Sequence, residues 1–349
     1  MIRRRAGNRL PAVALALLLV GGIRTAPAWS GLQHIHIGKA AARNVPDEMT
    51  AFRAFARPMA LPSIYPDLWK ETDLDEVPRH YFELDRLPPG ADPYALSPSL
   101  AQALPQLRQR IEDVGSAPWT ILDLLGKMTA AMRTNDWLWA ARCGAAMSHY
   151  VGDLHMPLHC TRNYNGQETG QAGIHGRIEN EMVRSFFEPR MIHPGPAVYL
   201  DDPFRETLGW AAQSAALVPG LLRADLVAKR SANGRFDTER YYLKLWELTG
   251  DTIVRQIGDA ASHLSSLWYT AWIDAGRPPI PAPFAELPST SVHSGVGIDP
   301  TLESRPVAAR SAQDRRYDII IWSVMGAMAL VVVASSLYRG VQVRRAARK

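Results

Sequence analysis

His149 and Asp153 stand four residues apart, so on a helix both project from one face. Pro157 ends that helix, and His159 can return to the same face from the loop that follows. Sixteen residues further on, His175 and Glu179 repeat the four-residue spacing. Two helices that each offer a His and a carboxylate one turn apart are how helical bundles build internal metal sites. Imidazole with carboxylate suits zinc and needs no thiolate. A lone His-x-x-x-Asp pair is usually a solvated helix face. Here the second pair, the intervening His159 and the apolar surroundings make a ligand set the better reading. His155 is out of phase with His149 and is expected to hydrogen-bond behind the ligands. His193, His263 and His293 have no partner pattern.

The elements that must carry these residues read as helices. Apolar residues recur at helical spacing in 118–132, 136–155, 173–187, 204–227 and 238–273. Alternating strand patterns bounded by hairpin turns are nearly absent. Gly, Pro and Asn gather in loops such as 87–90 and 163–166. The expected fold class is all-α, with one multi-helix domain over residues 29–275. Cys143 and Cys160 are the only thiols; they could pair outside the cytoplasm, or Cys143 could be an ordinary buried residue within its helix.

Charge and hydropathy set the ends apart from this body. The chain has 349 residues and a formal net charge of +5, but ten cations lie at its two ends. Taking those ten from the 39 basic residues leaves 29 against 34 acidic ones, so bulk charge offers nucleic acid no attraction. Residues 1–28 read as a secretory signal: Arg3 to Arg5, an apolar run, then Ala26-Pro27-Ala28 for cleavage. Cleavage there makes Trp29 the N-terminus. Residues 276–317 are Pro-rich with no hydrophobic period and read as a tether. Residues 318–338 read as a C-terminal transmembrane helix and 339–349 as a basic cytoplasmic tail. The expected placement is therefore a membrane-anchored chain with an extracytoplasmic body, at the periplasmic or cell surface. No feature marks a protein partner.

Over the whole body the sequence resembles the superfamily that joins bacterial zinc-dependent phospholipases C to the fungal single-strand-specific zinc nucleases. The family pattern begins with an N-terminal Trp, matched by Trp29, and a His five residues on, matched by His34 with His36 as a weaker substitute. It continues with an Asp and a later His (Asp67 and His80), then His-x-x-x-Asp-x-x-x-x-x-His (His149, Asp153 and His159), then His-x-x-x-Asp/Glu (His175 and Glu179). The resemblance implies an all-helical fold and three zinc ions. Asp67, His80, His149 and Asp153 would hold the first, and His159, His175 and Glu179 the second. The Trp29 amino group and carbonyl, His34 and a bridging Asp153 would hold the third. It also implies hydrolysis of a phosphodiester by a zinc-activated water, with the third ion stabilising the departing oxygen. Asp67, Lys70 and Asp153 are the residues expected to do the chemistry. Lys70 takes the place of a phosphate-contacting Arg in the nucleases, as a point charge without the bidentate fork.

The shared metal set does not choose the substrate. Where the phospholipases cradle a choline cation, the matching positions are Leu32, Leu68 and Val77, which offer neither charge nor an aromatic face. Tyr81 and Glu83 match the nuclease positions that stack and bind a base, with Asn165 as a further substrate contact. Glu179 and its surrounding segment 173–180 look more like the phospholipase branch. The expected substrate is single-stranded nucleic acid or a nucleotide, with a phospholipid as the alternative. A non-catalytic zinc-stabilised binding module is the third reading.

Overall fold

The structure is a computed structural model, and it describes residues 31–236 and 238–293. By internal contacts these fall into two compact units. The first comprises residues 31–67 and 78–289; the second comprises 68–77 and 290–293.

The first unit is built on five long helices: α1 (Gly31–Asn44), α2 (Ala117–Arg133), α3 (Trp137–Leu154), α4 (Pro203–Ser231) and α5 (Glu239–Asp274). Local chemistry sets their starts. Asp136, Asp202 and Thr238 each accept a hydrogen bond from a backbone N–H in the first turn of α3, α4 and α5, satisfying one otherwise orphaned donor. Pro203 adds a fixed φ at the first position of α4. Gly276, at φ 88°, closes α5 with its N–H on the Ile273 carbonyl.

α3 is the centre. It is buried on nearly every face, as a helix hydrophobic all round must be, and it pairs with α2 across the short turn at 134–136. α1 and α5 pack on it and on each other, and α4 lies along α5. Small residues let them approach closely: a Cβ added at Gly144 would stand 2.9 Å from Met59 Cε and 3.1 Å from Trp268 Nε1. Phe52, Phe55, Trp137 and Trp268 form a ring cluster at the base of this core. Between α1 and α2 the chain runs mostly in short 3₁₀ turns punctuated by proline. Residues 277–289 carry no helix but pack on the unit, with Phe284 edge-on to Phe55 and Leu287 buried.

The expected helices at 118–132, 136–155, 204–227 and 238–273 are present, with ends that agree to within four residues. The fifth, 173–187, is broken into a short turn (Ile174–Gly176), a π-helical stretch (Arg177–Met182) and a last α-turn (Val183–Phe186). α1 carries no sequence signal, because its buried face is Gln33, His34, Ile37, Gly38, Ala41 and Ala42, of which one is a large hydrophobe.

The fold-class expectation needs a correction. Its all-α part agrees with the described residues, which contain no strand. Its transmembrane helix does not stand: no helix among the described residues is long and apolar enough to cross a membrane. The membrane anchoring in the expected placement rested on that helix and falls with it, whereas the extracytoplasmic side was read from the signal at 1–28. Residues 318–338, like the expected signal at 1–28 and tail at 339–349, lie outside the described residues. Cys143 and Cys160 are both buried free thiols; burial pushes Cys143 up to about 12 and raises Cys160 as well.

Candidate metal centre

The C-terminal half of α3 presents His149 and Asp153 to one side. Its end is held by neighbours: Ser214 of α4 donates to the Leu154 carbonyl (2.8 Å), and Gln256 of α5 donates to the His155 carbonyl (2.8 Å). These bonds satisfy carbonyls that a helix end leaves open, and they fix where Asp153 sits.

Four donor atoms converge there. Asp153 Oδ2 lies 2.9 Å from His80 Nδ1 and 3.4 Å from His149 Nε2. His80 Nδ1 and His149 Nε2 are 3.1 Å apart, and Asp67 Oδ1 is 3.9 and 3.5 Å from them respectively. Metal–ligand bonds of about 2.0–2.1 Å in a tetrahedron give edges of about 3.3–3.4 Å, which these five separations bracket. The other oxygen of Asp153, Oδ1, faces His34 Nε2 at 3.4 Å. His34 lies flat against His149, with ring centroids 3.8 Å apart. One buried carboxylate therefore serves two ligand groups, one oxygen to each.

His159, His175 and Glu179 form the third group. Glu179 Oε1 is 3.4 Å from His159 Nε2, and Oε2 is 2.9 Å from His175 Nε2. Both ring nitrogens and both carboxylate oxygens are buried yet satisfied by no hydrogen bond. Buried polar atoms left so are costly unless something else meets them, and these could hold a metal ion. Burial raises the Glu179 carboxyl, but the His175 and His159 imidazoles outweigh it and hold it below its usual range. Burial lowers His159.

Backbone carbonyls aim the rings. His149 Nδ1 lies 2.8 Å from the Ser63 carbonyl, His159 Nδ1 2.6 Å from that of His80, and His175 Nδ1 3.0 Å from that of Tyr164. An Nδ1–H donated to a carbonyl leaves Nε2 with its lone pair toward the cluster. The His80 peptide thus ties two groups together, its side chain in one and its carbonyl holding His159 in the other. The groups Asp67–His80–His149, His34–His149–Asp153 and His159–His175–Glu179 could each hold a metal ion.

The remaining expected residues lie apart from these groups or outside the described chain. Tyr81 donates its hydroxyl to the Glu112 carbonyl (2.5 Å), and its ring and carbonyl fill the space where a Gly115 Cβ would be. Glu83 pairs with Arg86; burial, opposed by that arginine, brings its carboxyl up to about 7. Asn165 accepts the Gly173 N–H at 3.0 Å and so closes the loop before His175. Lys70 belongs to the second unit, and Trp29 lies outside the described residues. His155 differs from expectation. It turns from the ligands, with Nδ1 2.7 Å from the Val151 carbonyl and Nε2 2.7 Å from His263 Nδ1. His263 in turn stacks on Trp210. Spacing missed the carbonyl partners, because a carbonyl leaves no mark in a sequence. No family model and no curated protein matches the chain.

Proposed function

We propose that this chain is a metal-dependent hydrolase of phosphate esters, with a zinc ion in each of its three ligand groups. The observation that carries the reading is Asp153, whose two oxygens face two different imidazole sets at 2.9–3.4 Å. A single carboxylate shared in this way is how a protein sets two cations beside each other to act on one phosphate. Asp67, His80, His149 and Asp153 would hold one ion, and His159, His175 and Glu179 another. His34 and the second oxygen of Asp153 would hold the last, completed by the amino group and carbonyl of Trp29.

All donors are nitrogen and oxygen, in His- and carboxylate-rich sets that suit zinc. Bound there, zinc supplies Lewis-acid polarisation of a phosphoryl oxygen and a water acidified to a pKa of about 7. The chain's own contribution is orientation. Ser63, His80 and Tyr164 carbonyls fix three imidazoles, and the packing of His34 on His149 fixes a fourth. Asp67, Asp153 and Glu179 bring three negative charges against six from three divalent ions. The loaded site is net positive and draws in a phosphate anion despite the acidic body.

One feature bears on the substrate. Tyr81 is tied through its hydroxyl and packed on Gly115, which argues against a free base-stacking platform. A phospholipid is therefore the first substrate to assay, and single-stranded nucleic acid the second.

The test measures zinc content, then hydrolysis of mixed phospholipid micelles and of single-stranded nucleic acid, each with and without chelator. Chelator-sensitive release of diacylglycerol supports the lipid reading, and release of nucleotides the nucleic-acid one. A zinc-loaded chain that turns over neither, nor a simple aryl phosphodiester, refutes the hydrolase and leaves a zinc-stabilised binding module.

A further inference from the structure

The turn that carries His175 and Glu179 is held from behind by one side chain. Arg177 lies between the two ligands in sequence, two residues from each, and so points away from the face they share. Its guanidinium is almost wholly buried. Nη1 donates to the Ala172 carbonyl (2.9 Å), and Nη2 to the Gln171 carbonyl (2.9 Å) and Asp225 Oδ1 (3.1 Å). Nε reaches Asp225 Oδ1 (3.3 Å) and the Tyr241 hydroxyl (3.0 Å). The plane sits over the Phe236 ring at 3.9 Å. Asp225 is fully buried on α4, Tyr241 of α5 donates to its Oδ1, and Gln171 Nε2 donates to its Oδ2 (2.8 Å).

The arch at 171–177 is wrapped around that guanidinium. Two consecutive carbonyls turn inward to accept from it, and Gly173 takes φ 90°, where a Cβ would stand 2.8 Å from Nη1. The helix that follows is irregular, passing into π-helical geometry from Arg177 to Met182. Such short irregular helices hold a fixed side-chain geometry poorly by themselves, and π-turns concentrate at functional sites. A buried ion pair is also a weak source of stability, because desolvating both charges offsets most of their attraction. What this pair supplies is one conformation.

We infer that Arg177, clamped by Asp225, Tyr241 and Gln171, is a positioning residue that sets the His175–Glu179 geometry and thereby the metal affinity of the His159–His175–Glu179 group alone. This rests on the metal reading above. The other two groups take their ligands from α1, α3, Asp67 and His80, none of which touches the clamp through a hydrogen bond or ion pair shown for Arg177 or Asp225.

The experiment titrates the zinc-loaded full chain with a competing chelator and counts the zinc retained per chain. The proteins compared are the wild type, Asp225→Asn, Tyr241→Phe and Thr270→Val. Thr270 serves as a control on α5, far along the helix from Tyr241, where its hydroxyl accepts the Leu200 N–H. Loss of a partner one step behind a ligand weakens metal binding by about 10–100-fold. One of three zinc ions in Asp225→Asn should therefore leave at about tenfold lower chelator, with the other two unmoved. Tyr241→Phe, the milder change, should shift the same ion in the same direction and covers the case in which Asp225→Asn fails to fold. Three ions released as in the wild type, or all three shifted together as a general loss of stability would do, overturns the clamp. A wild-type chain that binds no metal overturns the metal reading itself, and the clamp with it.

Discussion

Gly152 of α3 separates two energetic effects that a single substitution can pull apart. A Cβ at this position would stand 2.8 Å from His34 Nδ1, 3.0 Å from its Cε1 and 3.3 Å from Ile37 Cδ1. His34 cannot step back freely, since it is fully buried and stacked on His149. Gly152→Ala adds about 1 kcal/mol of helix propensity within a long helix. Overpacking of a filled core costs about 1–3 kcal/mol. The net change in stability lies between roughly nothing and 2 kcal/mol, a fall in melting temperature of at most about 8 °C for a domain of this size. The imidazole, however, must move by several tenths of an ångström, and it faces Asp153 Oδ1 at 3.4 Å. The expected result is a folded protein that keeps the His159–His175–Glu179 ion and loses the one at His34. Zinc per chain after gel filtration, read beside a thermal melt, checks it. Full zinc content at wild-type affinity would refute the reasoning, because it would mean that the close approach of α1 to α3 does not set His34.

Further outcomes follow from the same geometry. Asp153→Asn removes the carboxylate shared by two groups, so metal content should fall from three ions to one, whereas Glu179→Gln should remove one; elemental analysis distinguishes them. Extending the chain by any residue before Trp29 should cost one zinc if the terminal amine is a ligand, and unchanged content would exclude that ligand. The buried His155 and His263 are lowered to about 4 and about 3, both by burial, with His155 adding to the effect on His263. Because these imidazoles stay neutral in the folded state while unfolded ones protonate near 6.5, stability is lost as pH falls from about 6.5 toward 4. At pH 5 the loss is about 2 kcal/mol for His263, so denaturant titrations of metal-free His263→Phe should show that much less acid-side decline than the wild type. Cys143 and Cys160 should resist thiol reagents in the native protein and both react after denaturation; native labelling of either would contradict their burial.

Much of this protein is legible in its residues alone. Four of the five long helices follow from apolar spacing, because a helix that buries one stripe must repeat its hydrophobes every three to four residues. The candidate ligand pairs His149–Asp153 and His175–Glu179 follow from one-turn spacing, because that spacing brings two side chains to one face, whereas His159 has no one-turn partner and is placed with His175 and Glu179 by the fold. α1 was not legible. Its buried face is polar or small, and only packing against α3 and α5 makes those residues core. The transmembrane expectation shows the opposite limit, since an apolar run states hydropathy and not placement. The division of Asp153 between two groups, the carbonyls that aim each ring and the Arg177 clamp were decided by tertiary structure. Each joins atoms far apart in the chain, and no local pattern encodes which loop will deliver a carbonyl, or which helix a buried carboxylate, to a given imidazole or guanidinium.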